Sequence, residues 1–134
     1  MTQFCVTPPT WRAHADNVAA ALLGGLVINC IKVDGSVLAL KRLWPAGIKA
    51  VVVSPHLAVD TKHARFILPK SARLSDVVHN LQRVALFGAA LERQAYDLFW
   101  EAMQDRLHQK HRAKLVPGLS QALATPRAPG LLGL

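Results

Sequence analysis

Within residues 26–44 two apolar runs, LVINCIKV and SVLALKRLW, flank the dipeptide Asp34-Gly35. An aspartate-glycine pair between strand-forming runs supplies the backbone freedom that a tight hairpin turn demands. Residues 26–33 and 36–44 are therefore predicted to be antiparallel neighbours. Residues 48–54 (IKAVVVS) read as a third strand, whose unbroken apolar stretch implies burial on both faces, and Pro55 ends it.

Helical signals surround this strand-rich stretch. Ala15-Asp16-Asn17 offers N-cap candidates, residues 18–23 are rich in helix formers, and Gly24-Gly25 ends the segment. Asp60-Thr61 can cap a short helix running through Ile67, with Pro69 just beyond its end. Leu74, Val77, Val78, Leu81, Val84, Ala85 and Gly88 fall on one face of a longer helix. Tyr96, Phe99, Met103 and Leu107 do the same on the next, widened by Leu98 and Ala102. Pro117-Gly118 breaks the chain, residues 119–124 can start a final helix, and the closing GLLGL reads as the beginning of a strand. Helix, hairpin, strand and then several helices make an α+β fold. Residues 1–12, with the breaker cluster Thr7-Pro8-Pro9-Thr10, are expected to be an atypical, unstructured start.

Composition narrows the function classes. The 134 residues are 51% apolar and 18% charged, enough apolar surface for a packed core and too little charge for a disordered polyelectrolyte. The net charge of +8 suits nucleic acid, an acidic membrane surface or small anionic ligands. The basic residues are dispersed, without the aromatic interleaving or helix-turn-helix pattern of a nucleic-acid binder, so no nucleic-acid partner is expected. The longest apolar run, residues 18–28, is interrupted by Gly24-Gly25 and falls short of the roughly 20 residues of a membrane span. The start lacks a signal-peptide pattern. Cys5 and Cys30 form neither a CxxC pair nor a metal-ligand spacing and read as reduced thiols. The expectation is a cytoplasmic chain with no membrane partner and no metal ligands.

Three segments place charged groups at element ends. The first, His14-Ala15-Asp16-Asn17, sets a carboxylate and an amide where a helix N-terminus also favours an anion. Capping alone would also explain it. The second, residues 60–65, carries Thr61 at a cap position and Arg65 one turn on, a two-pronged donor suited to carboxylate or phosphate. The third, residues 105–112 (DRLHQKHR), is the densest charge cluster in the chain. A solvated helix face or helix end is the simpler explanation of either of these last two.

Taken together, HADNVAAALLGGL (14–26), VVVSPHLAVDTKHARFILPK (51–70), LSDVVHNL (74–81) and DRLHQKHRAKLVPG (105–118) resemble the homoserine kinase family of the GHMP small-molecule kinases, in order and in spacing. The resemblance runs from about residue 13 to the last residue. It implies a partial GHMP kinase fold: mainly the ferredoxin-like C-terminal domain (48–134), preceded by the helix and hairpin that end the N-terminal domain (13–47).

The resemblance also implies roles. His14 and Asp16 would face the amino-acid substrate, Asp16 toward its ammonium group. Asn17 would hydrogen-bond the hydroxyl that is phosphorylated, and Thr61 would stand near the transferred phosphate. Arg65 and Arg112 match the arginines that bind the substrate carboxylate. The family's reaction converts ATP and L-homoserine into ADP and O-phospho-L-homoserine, in threonine biosynthesis, with Mg2+ at the nucleotide. Its members often dimerise.

Departures from the family pattern shape the expectation further. The PxxxGLGSSAA-type loop that cradles ATP, and the acidic residue just upstream of HxDN that helps hold magnesium, are absent before His14. The SGxGP turn is absent at the other end, and Lys110-His111 replace the usual Pro-Tyr. No cofactor-binding residue is therefore assigned. The implied reading is the acceptor-binding, C-terminal part of a homoserine kinase, inactive alone, with a missing N-terminal half as its partner. The alternatives are a non-catalytic truncated or split-gene product, and another GHMP kinase with a carboxylate-bearing acceptor.

Overall fold

The computed structural model describes residues 15–54, 56 and 66–134, together with the backbone of residues 2–6. The chain divides into two compact units, one ending at Val52 and the other beginning at Val53. Among the described residues no helix is long and apolar enough to cross a membrane.

In the first unit, β2 (Leu26–Ile31) and β3 (Val37–Arg42) form the expected hairpin. Its register pairs Leu26 with Arg42 and Ile31 with Val37. The turn is closed by the Lys32 amide donating to the Ser36 carbonyl at 2.8 Å, with Gly35 at φ 79°. Asp34 Oδ1 accepts from the Ser36 amide at 2.8 Å and from its hydroxyl at 2.6 Å. Those two bonds, the hydroxyl's foremost, lower the Asp34 carboxyl to about 2.

The third strand of the sheet is not the expected one. β1 (Thr2–Val6) runs antiparallel along the other edge of β3, giving the order β1-β3-β2. Residues 2–6, read from sequence as unstructured, form a strand because β3 offers an open row of backbone donors and acceptors. The sequence TQFCV also has strand-forming character. Residues 48–54, read as a strand, carry no strand pairing, and Val51, Val52 and Val53 are 85%, 88% and 87% exposed. A β-branched run satisfies the propensity of a strand, but strand structure requires a ladder partner, and none adjoins it among the described residues.

Helix α1 (Ala15–Leu23) covers one face of this sheet. Ala15 on the helix and Val37 and Ala39 on β3 are its buried contacts, and Val18, Ala19 and Leu22 line the narrow apolar space between them. Two glycines end the helix with left-handed backbone, Gly24 at φ 63° and Gly25 at φ 72°. A Cβ on Gly25 would lie 2.7 Å from the Arg42 carbonyl oxygen, so the entry into β2 needs glycine for space as well as for φ. Lys41 donates its ammonium to the Leu23 carbonyl, satisfying one of the helix's last acceptors.

The second unit is organised by α2 (Leu74–Arg93), 20 residues long. It ends on Gln94 in the left-handed region (φ 56°), and the Ala95 amide donates back to the Ala90 carbonyl at 2.9 Å. A 3₁₀ turn (Tyr96–Leu98) leads into α3 (Phe99–Ala102), followed by α4 (Gln109–Arg112) and α5 (Leu119–Leu123).

Three expectations change in this unit. The helix read through Leu107 stops at Ala102, because Asp105 caps a new turn, as described below. The closing GLLGL forms no strand. Leu131, Leu132 and Gly133 are half-buried, and Gly133 lies so close to the Met103 thioether that a Cβ there would require the Met103 side chain to move. The packed face of α2 is also not the predicted one. Leu74, Leu81 and Val84 are 78%, 64% and 72% exposed, whereas Ala90 and Leu91 are buried and Asn80, Arg83 and Phe87 half-buried. The aromatic partners decide this. Phe99, 2% exposed, meets Phe87 with ring centroids 4.7 Å apart and Tyr96 edge-on at 5.6 Å. The helix has apolar residues on two sides, and this unit covers one of them.

Candidate functional site

Asp16 and Asn17 occupy the first turn of α1, with both side chains exposed. The helix begins at Ala15, so neither is the cap residue; both project from the turn whose backbone amides favour an acceptor. His14, Thr61 and Arg65 lie outside the described residues. Arg112 belongs to the second unit, exposed, at the last position of α4.

Among the described residues, a polar network surrounds the turn that carries Arg112. A four-residue helix cannot hold itself, because nucleating one turn fixes several residues for one hydrogen bond. Asp105 supplies what α4 lacks. Its Oδ1 accepts from the His108 amide at 2.5 Å and the Gln109 amide at 2.7 Å. The Arg112 amide then donates to the His108 carbonyl at 3.0 Å. Asp105 is itself held from α2: Asn80 Nδ2 donates to its Oδ2 at 2.6 Å, and Asn80 Oδ1 accepts the Arg106 amide at 3.0 Å. His108 Nδ1 lies 3.3 Å from the same Oδ2. Burial on its own would raise the Asp105 carboxyl, but the Gln109 and His108 amides, then Asn80 and the His108 ring, outweigh it and lower the group to about 2.

Beside this network a cleft of about 170 Å³ opens between the start of α2 and the 105–112 segment. Arg73, Arg106 and Lys110 line it around a single carboxylate, Asp76. Arg106 and Lys110 pair loosely with Asp76, at 4.0 and 3.6 Å. Arg112 is not among the lining residues. On the same face of α2, Arg83 pairs with Glu101. His79 Nε2 is buried without a hydrogen-bond partner among the described residues. Desolvation first, then the charges of Arg106 and Arg83, lower the His79 imidazole below its ordinary 6.5.

Sequence reading treated residues 105–112 as one charge cluster and missed the division of labour within it. Asp105 is the cap and Arg112 is what the capped turn presents. Asn80 was missed because it was read within an apolar helix, not as a polar anchor on that helix's packed side. The available signal was an aspartate four residues ahead of a short helical run, with an amide-bearing residue on the neighbouring helix.

No model of a known protein family matches the chain. Individual proteins do. The homoserine kinase of Aquifex aeolicus is 43% identical over 122 residues, covering 91% of this chain and 41% of that protein. That of Symbiobacterium thermophilum is 45% identical over 109 residues, covering 79% and 34%. A crystal structure of homoserine kinase from Cytophaga hutchinsonii aligns at a TM-score of 0.75 and 36% identity, over 82% of this chain and 34% of that one. The chain spans about two-fifths of the length of such curated relatives. The expected α+β architecture holds, as part of the fold of those enzymes.

Proposed function

We propose that this chain, which belongs to the homoserine kinase family, supplies the acceptor-binding part of an enzyme that phosphorylates the hydroxyl of L-homoserine. The observation that carries the reading is the match to homoserine kinases over 91% of the chain. That match takes in every segment with a charged group assigned to the acceptor.

Homoserine is a small zwitterion with a hydroxyl at its far end. Arg65 and Arg112 take its carboxylate, Asp16 its ammonium, and Asn17 hydrogen-bonds the hydroxyl, with His14 facing the same molecule. Anchoring both charged ends fixes where the hydroxyl points, and phosphoryl transfer depends largely on such positioning. The part of this chain is to hold the hydroxyl oxygen where it can accept the phosphoryl group. Thr61 stands near the group in transit.

ATP and Mg2+ supply the phosphoryl group and neutralise its charge. Among the described residues no three His, Cys, Asp or Glu side chains converge as metal ligands. The sequence also carries no glycine-serine phosphate loop. These residues therefore do not fit the metal-nucleotide. The 134-residue chain is expected to bind homoserine and to release no ADP from ATP by itself.

Calorimetric titration of L-homoserine against 3-amino-1-propanol, which lacks the carboxylate, tests this directly. The expected result is binding of homoserine and a loss of about tenfold or more for the analogue, the scale of a lost charge-assisted contact. Equal affinity for both, or no binding of either at millimolar concentration, overturns the reading.

A further inference from the structure

The structure places Asn80 and Asp105, which are outside the acceptor set, at the root of the turn that presents Arg112. We infer that the Asn80–Asp105 pair is a positioning device for Arg112, an inference that rests on the acceptor-binding reading of that arginine. Arg112 is exposed and closes a helix of four residues, too short to hold its own direction. Lys110 pairs loosely with Asp76 at 3.6 Å, and the hydrogen bonds that start this helix run through one carboxylate. Asp105 Oδ1 takes two of the amides at its start, from His108 and Gln109. Asp105 Oδ2 is gripped by Asn80 Nδ2 at 2.6 Å, and the other end of the same amide holds the Arg106 backbone at 3.0 Å. Asn80 sits in the middle of the 20-residue α2, the most extended rigid element of the unit. The amide thus ties a marginal turn to a stable helix at two consecutive residues.

The pairing is directional, which makes it testable by exchange. Asn80 presents a donor to Asp105 and an acceptor to Arg106. In Asn80→Asp the acceptor for Arg106 survives, but two carboxylate oxygens face each other. In Asp105→Asn the acceptor for His108 and Gln109 survives, but two amide nitrogens face each other. In the exchanged pair, Asn80→Asp with Asp105→Asn, the amide at 105 donates to the carboxylate at 80, and every backbone contact keeps its acceptor. Net charge is unchanged from the wild type.

The experiment measures homoserine and 3-amino-1-propanol affinities for the 134-residue chain, its two single variants, the exchanged pair and Arg112→Ala, with far- and near-ultraviolet circular dichroism to confirm folding. The expected result is a fall of about tenfold in homoserine affinity for each single variant, with less than a twofold change for the analogue. The exchanged pair should recover most of the loss, a coupling that independent sites do not give. A general structural role would weaken both ligands together and would not be rescued. Three results overturn the inference. In the first, the single variants bind homoserine as the wild type does while Arg112→Ala loses the preference, and the acceptor reading survives. In the second, the exchange fails to restore a folded protein's preference. In the third, Arg112→Ala itself leaves the preference intact, and the acceptor reading falls too.

Discussion

Asn80 and Asp105 are 25 positions apart in sequence and 2.6 Å apart in space, amide nitrogen to carboxylate oxygen. The bond joins the long helix of the second unit to the segment that ends in Arg112. Because it is made to the ionised carboxylate, it depends on pH.

Asp105 gives the first prediction. Its folded value of about 2 lies below the ordinary 3.8, so the unfolded chain binds a proton more readily than the folded one. The contribution is complete above about pH 4 and is lost as pH falls through about 2. Urea midpoints should fall across that window for the wild type, and less steeply for Asp105→Asn, which has no proton to take up. The size is reduced by the partial exposure of the site. Parallel pH profiles for the two proteins would show that the carboxylate is not held as described.

Packing gives the second. Phe99 is 2% exposed and stacks on Phe87, so Phe99→Ala should cost about 3 to 5 kcal/mol of the second unit's stability. Leu81, on the opposite stripe of α2, is 64% exposed. Leu81→Ala should change stability by no more than about 0.5 kcal/mol, as at other uncrowded surface positions. Denaturant unfolding of both variants measures the contrast. Comparable losses would mean that the outer stripe is covered in solution.

That contrast marks what the sequence makes legible. The hairpin was readable because Asp34-Gly35 is a local instruction, and the register follows from the turn. The α2 helix was readable by its period, but its orientation was not. The period reports an apolar stripe, while the choice between two stripes is made by Phe99 and Tyr96, which arrive from elsewhere in the chain. Residues 48–54 failed as a strand for the same reason, since a strand is defined by its neighbour. At the candidate site, Arg112 was found through the resemblance. Asn80 and Asp105 were not found, because a cap-and-anchor pair has no periodicity and becomes visible only when the two helices are set side by side.

His79 gives the third prediction. Its Nε2 is buried without a hydrogen-bond partner among the described residues, and desolvation, Arg106 and Arg83 disfavour the imidazolium. The folded value therefore lies below the ordinary 6.5, and the associated stability is full above that pH and declines as the solution is acidified below it. An NMR titration of the His79 ring should show a midpoint below the ordinary 6.5. Replacement by Gln should flatten the stability profile between pH 6.5 and the folded midpoint. A His79 midpoint at or above the ordinary value would remove the basis for both.

Two backbone substitutions should act with opposite sign. Gln94 adopts φ 56° and ψ 27° at the end of α2, a conformation that costs a residue with a Cβ roughly 1 kcal/mol and glycine almost nothing. Gln94→Gly is therefore expected to stabilise the second unit by about 0.5 to 1 kcal/mol, less whatever the more flexible unfolded chain takes back. Gly25 presents the reverse case. It sits at φ 72°, and a Cβ there would lie 2.7 Å from the Arg42 carbonyl oxygen, a backbone atom that cannot swing aside. Gly25→Ala should lose more than about 1 kcal/mol in the first unit, since the conformational penalty adds to the clash. Urea unfolding at constant slope measures both, the shift in midpoint giving the sign. A neutral Gly25→Ala would mean that β2 leaves the helix by a different path, and a destabilising Gln94→Gly would mean that the helix does not end in a left-handed residue.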